Sequence, residues 1–90
     1  MKEILCKVYG DVQGVFFRTF AKEKAGEFGV TGYAKNLEDE TVEVVAQGTK
    51  ENLDKFLGAI SVGPDNAQVE SINVMWGPVP DEKFTQFDIL

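Results

Sequence analysis

From Ile4 to Tyr9 the chain alternates apolar and polar residues, with Ile4, Cys6 and Val8 on one side. That two-residue period predicts a strand. Gly10 to Val15, which carries two glycines, predicts a loop. The period then changes. Phe17, Phe20, Ala21, Ala25 and Phe28 follow helical spacing, which predicts a helix over 17–28, and Gly29 suits the left-handed residue that ends many helices. Val30 to Leu37 and Thr41 to Gln47 read as two further strands, joined by the charged tip Glu38-Asp39-Glu40. Leu53, Phe56, Leu57 and Ile60 stand at i, i+3, i+4 and i+7, so Lys50 to Ile60 is a second amphipathic helix, with Thr49 as its N-cap. Gly63-Pro64-Asp65-Asn66 breaks the chain. Alternation returns from Val69 to Trp76, with Ile72, Val74 and Trp76 on one face, and after a Pro-rich turn Phe84 to Leu90 forms a short last strand.

The order β-α-β-β-α-β-β predicts an α+β fold of the ferredoxin-like, split β-α-β kind. Its mainly antiparallel sheet carries two helices on one face and a short fifth strand. Right-handed crossovers place the first and third strands side by side in the middle. Ninety residues are expected to form one domain, burying roughly 60–65 % of the unfolded surface. Such a scaffold hosts many functions and decides none of them.

Charge and composition narrow the field. The net charge is -6, with 15 acidic residues against nine basic ones, so nucleic acid is not expected as a partner. No segment matches the aromatic strand motif with which RNA-binding sheets stack bases. The same charge repels anionic ligands at long range, so an anion site here has to work through short-range, directed donors. One cysteine permits no intramolecular disulfide, and there is no long apolar run. Neither a signal peptide nor a membrane span is expected, and the cytoplasm is the default location.

Gly10-Asp11-Val12-Gln13-Gly14-Val15-Phe16-Phe17-Arg18 joins a strand to a helix. Glycines at both ends of the bend permit positive φ and let successive N–H groups point into one concavity. A helix N-terminus adds unpaired donors and partial positive charge. Arg18, the only arginine in the chain, adds a fork that can grip two oxygens of a phosphate. On these residues alone two readings stand: a site for a compact dianion, or the commoner arrangement of a glycine-bearing turn with a solvated arginine.

The same stretch closely resembles the acylphosphatase signature, a glycine, any residue, Val-Gln-Gly-Val, two more residues and Arg. Gly32-Tyr33-Ala34-Lys35-Asn36-Leu37 followed by Val42-Glu43 is similar to that family's second motif. Gly63-Pro64, Ala67 and Val69 match a further stretch, and Phe87-Asp88-Ile89 resembles the closing strand. The resemblance implies a monomeric, cytoplasmic hydrolase without cofactor or metal. It would split small acyl phosphates into a carboxylate and inorganic phosphate by direct water attack. It further implies that the backbone N–H groups of Gln13, Gly14, Val15, Phe16 and Phe17 surround the phosphoryl oxygens. Arg18 would bind the same group, and the amide of Asn36 would hold the attacking water. The alternative is a non-catalytic anion-binding or regulatory domain on the same scaffold.

The residue inventory suits this chemistry from another direction. There is no histidine, so the commonest general base is missing. An acyl phosphate tolerates that, because its carboxylate leaves without a proton and phosphoryl transfer depends chiefly on positioning. Cys6 reads as core packing, not as a nucleophile. Phe16, Phe17, Phe20 and Phe28 read mostly as core, with Phe16 a candidate for the acyl side of a pocket. Asp11 places a carboxylate in the loop and is expected to face solvent. Lys35 should point away from the Asn36 side of its strand. At the charged tip Asp39-Glu40 replaces the family's Asp-Gly. Left-handed backbone costs glutamate roughly 1 kcal/mol, which leaves another turn type open.

Overall fold

A computed structural model describes residues 1–90. Its elements are β1 (Lys2–Asp11), α1 (Phe17–Phe28), β2 (Thr31–Asn36), β3 (Val42–Gly48), α2 (Lys50–Val62), β4 (Gln68–Pro78) and β5 (Phe87–Ile89). The sheet order is β4-β1-β3-β2-β5. All neighbouring pairs are antiparallel except β2 and β5, which run parallel. The adjacency of the first and third strands follows the predicted topology, and the fifth strand extends the sheet at the β2 edge.

The core forms where the two periods meet. Ile4, Cys6 and Val8 of β1 and Val42, Val44 and Ala46 of β3 turn their buried side toward the helices. Phe17, Ala21 and Ala25 of α1 and Leu53, Phe56 and Ile60 of α2 cover them. Full burial of each large apolar side chain stabilises the fold by about 1.5–3 kcal/mol. Trp76 shares its face with Ile72 and Val74, but at the edge of the sheet it stays 43% exposed, under the Lys50 ammonium.

The helix ends follow the predicted chemistry. Thr49 accepts a hydrogen bond from the Asn52 N–H at 3.1 Å and caps α2. Gly29 closes α1 at φ 68°. α2 runs two residues beyond the predicted end at Ile60, and the Gly63 N–H bonds to the Ala59 oxygen at 3.1 Å.

Two segments depart from the expected pattern. β5 begins at Phe87 instead of Phe84 because the Phe84 N–H bonds to the side-chain oxygen of Gln47. That glutamine, buried on the open face of the sheet, also donates to the Glu82 oxygen, so it anchors the segment that crosses from β4 to the far edge. At the β2–β3 tip the left-handed position is kept, with Glu40 at φ 69°. The tip is held by Asp39, which accepts from the Thr41 N–H and hydroxyl and pairs with Lys7 at 2.7 Å. The hydrogen bonds from Lys7 and Thr41 hold the Asp39 carboxyl at about 2.

Candidate active site

The loop begins at a bulge. Register between β1 and β4 shifts at Tyr9/Gly10, where Gly10 has φ 129° and approaches Gln68 closely. A Cβ on Gly10 would lie 2.1 Å from the Gln68 oxygen, so only glycine fits. Beyond the bulge Val12 and Phe17 bury in the core and pin both ends of the bend. Between them Gly14 (φ 74°) and Phe16 (φ 61°) turn the backbone through the left-handed region.

This backbone leaves donors unpaired. The N–H groups of Gln13, Gly14, Val15 and Phe16 have no backbone acceptor, and the first helical bond is from the Phe20 N–H to the Phe16 oxygen. Phe16 offers no side-chain cap, and the first turn of α1 holds no acidic residue. α2 has both a cap in Thr49 and an acid in Glu51. The start of α1 therefore has its donors and positive end available to an anion.

Two further segments complete the site. Asn36, the last residue of β2, pairs in register with Val42, and its side-chain oxygen is buried without a hydrogen-bond partner. Such an orphan costs free energy unless a ligand or water satisfies it. The Arg18 Nη1 donates to the backbone oxygen of Leu90 at 2.6 Å, while the Leu90 N–H bonds to the Ala34 oxygen at 2.9 Å. The guanidinium is thus fixed against the end of the β5 segment. Gly14, Phe16 and Phe17 from the loop, Arg18 and Asn36 line one cavity of about 200 Å³.

Not every sequence-predicted site residue lines that cavity. The side chain of Gln13 turns to the neighbouring hairpin and donates to the backbone oxygens of Leu37 (2.8 Å) and Thr41 (2.9 Å). Val15 packs against the core. Asp11 is exposed and pairs with Gln68, away from the cavity, as the loop reading requires. Lys35 is exposed as well. Burial pushes the Cys6 thiol up to about 12, consistent with packing and not with nucleophilic use.

Three features escaped the sequence reading. Thr19 lines the cavity beside Arg18, one residue past the recognisable motif. Ile89 lines it from β5; with Phe87 buried, alternation places Ile89 on the same face, a signal that becomes useful once the neighbour of β5 is known. The tether made by the Gln13 side chain has no local signature.

The acylphosphatase family model matches residues 5–89. This chain belongs to the acylphosphatase family. It is 51% identical over 77 residues to the acylphosphatase of Thermus thermophilus, covering 86% of this chain and 88% of that protein. It is 46% identical over 83 residues to the acylphosphatase of Clostridium acetobutylicum, covering 92% and 91%. The crystal structure of acylphosphatase from Bacillus subtilis superposes with a TM-score of 0.95 at 31% identity, covering 100% of this chain and 99% of that one. Acylphosphatases are hydrolases of the carboxyl–phosphate anhydride. No helix of this acylphosphatase-family chain is long and apolar enough to cross a membrane.

Proposed function

We propose that the chain hydrolyses small acyl phosphates, with the loop and Arg18 holding the phosphoryl group and Asn36 aiming the attacking water. The observation that carries this assignment is that Asn36, a residue of β2, lines the same cavity as Gly14 and Arg18 of the loop and α1. The Asn36 side chain brings an amide to that cavity, and an amide can hold a water molecule by hydrogen bonding while the water's lone pair faces phosphorus.

In the proposed reaction the N–H groups of Gln13 through Phe17 and the fork of Arg18 neutralise the equatorial phosphoryl oxygens. Water forms a new P–O bond, and the bridging P–O bond breaks with its electron pair leaving on the carboxylate. The proton of the water passes to a phosphoryl oxygen of the substrate, so no histidine is needed. The products are a carboxylate and inorganic phosphate. Catalysis of this kind comes from positioning and charge stabilisation, and requires no group with a neutral-range pKa.

The working unit in this reading is one domain, a monomer in the cytoplasm without a nucleic-acid partner. Its supports are that the net charge is -6 and that the one cysteine is a buried free thiol.

Release of carboxylate from benzoyl phosphate, followed over time, tests the assignment through Arg18→Lys. That variant keeps the charge and loses the planar fork, so kcat/KM is expected to fall about 10²–10³-fold. Wild-type rates in Arg18→Lys would remove Arg18 from the role given to it. A wild-type protein no faster than buffer would end the hydrolase reading.

A further inference from the structure

The cavity lining is of mixed chemistry. Arg18, Thr19 and Asn36 are its polar side chains. Phe16 and Ile89 line it as well and are 77% and 41% exposed, unlike the buried Val12 and Phe17. Large apolar side chains left in water at the mouth of a polar site mark a surface for an apolar group. Phe16 is the clearer case. Its ring joins neither the core nor any aromatic pair, and its backbone is held left-handed at φ 61°, a conformation that aromatic residues rarely adopt.

Charge sharpens the point. Arg18 is the only charged residue lining the cavity, and in the proposed reaction it is engaged by the phosphoryl group. No second cation is there to meet a second anion on the acyl part, and the molecule carries a net charge of -6. At about 200 Å³ the cavity falls below the range of drug-sized sites, so it takes a phosphoryl group and one compact substituent.

We propose that Phe16 and Ile89 form an acyl subsite that selects compact apolar acyl groups, aryl above all, and disfavours acyl groups bearing a second negative charge. The proposal rests on the hydrolase reading and adds to it the class of acyl group. Arg18 and Asn36 act on the phosphoryl end, common to every substrate. Phe16 and Ile89 act on the variable end, where discrimination arises.

The test compares kcat/KM for benzoyl, acetyl and succinyl phosphate, each divided by its rate in buffer, in the wild type, Phe16→Gly and Ile89→Ser. Glycine accepts the left-handed backbone at position 16, so folding is not put at risk there. The wild type is expected to favour benzoyl over acetyl phosphate by about tenfold and succinyl phosphate least. The benzoyl-to-acetyl ratio is expected to fall about tenfold in Phe16→Gly and severalfold in Ile89→Ser. A purely structural role would lower both rates and leave that ratio alone. A wild type that hydrolyses all three equally, or a ratio unmoved in both variants, overturns the subsite while leaving the hydrolase reading intact. A wild type that hydrolyses none overturns both.

Discussion

Phe16 and Glu40 share a backbone conformation, at φ 61° and φ 69°, for different reasons. The left-handed region costs an L-residue about 1–2 kcal/mol. At Phe16 that cost places an apolar ring at the mouth of the cavity and turns the chain into α1. At Glu40 the tip of the β2–β3 hairpin needs a left-handed residue, and the glutamate side chain makes no hydrogen bond or ion pair that would offset the strain. Glu40→Gly is therefore expected to stabilise the protein by about 0.5–1 kcal/mol, the relieved strain less the extra entropy of a glycine in the unfolded chain. Urea unfolding monitored by circular dichroism checks this; an unchanged or lower midpoint would show that the tip is not strained. Sequence could name the residue that differs from Asp-Gly but not the outcome, because the left-handed tip is held by bonds from Asp39 to Thr41 and to Lys7, which lies on another strand.

At the scale of elements, the site depends on how the β1–α1 loop is set against the β2–β3 hairpin. Gln13 makes that connection through its two bonds to Leu37 and Thr41, the residues flanking the tip beside Asn36. Each such bond contributes about 0.5–1.5 kcal/mol. Gln13→Ala is expected to cost about 1–3 kcal/mol in urea unfolding and to lower kcat as Asn36 loses its fixed place relative to the loop. Stability and kcat both at wild-type values would show that the loop and the hairpin are set independently. The elements themselves were legible. Helical spacing from Phe17 to Phe28 marks α1 over the same residues, because its buried stripe and its Gly29 stop are local features. The tether was not legible, since it spans 24 and 28 residues and leaves no period in the chain. β5 was overextended for a similar reason: the N–H of Phe84 is taken by Gln47, 37 residues away.

For the whole molecule, the acidic balance makes the site a matter of short-range geometry. A net charge of -6 gives no broad attraction for a dianion, so in the proposed reaction the backbone donors and Arg18 hold it at contact distance. Those parts are drawn from separate stretches: the loop and the first turn of α1, the end of β2, and the β5 segment. Arg18 and Asn36 could be named from their motifs. That they face one cavity follows from the sheet order, which brings β2 beside β5 and the Ala34–Leu90 bond beside the Arg18 guanidinium. Thr19 and Ile89 entered only with that assembly. The proposed site divides the labour, with the loop and Arg18 binding the phosphoryl group while Asn36 aims water. Measuring kcat and the inhibition constant of inorganic phosphate side by side in Asn36→Ala tests it most directly. In that variant kcat is expected about 10²–10³-fold below wild type, with the phosphate constant moved by less than about threefold. A kcat near wild type, or equal losses in turnover and phosphate binding, would contradict that division of labour.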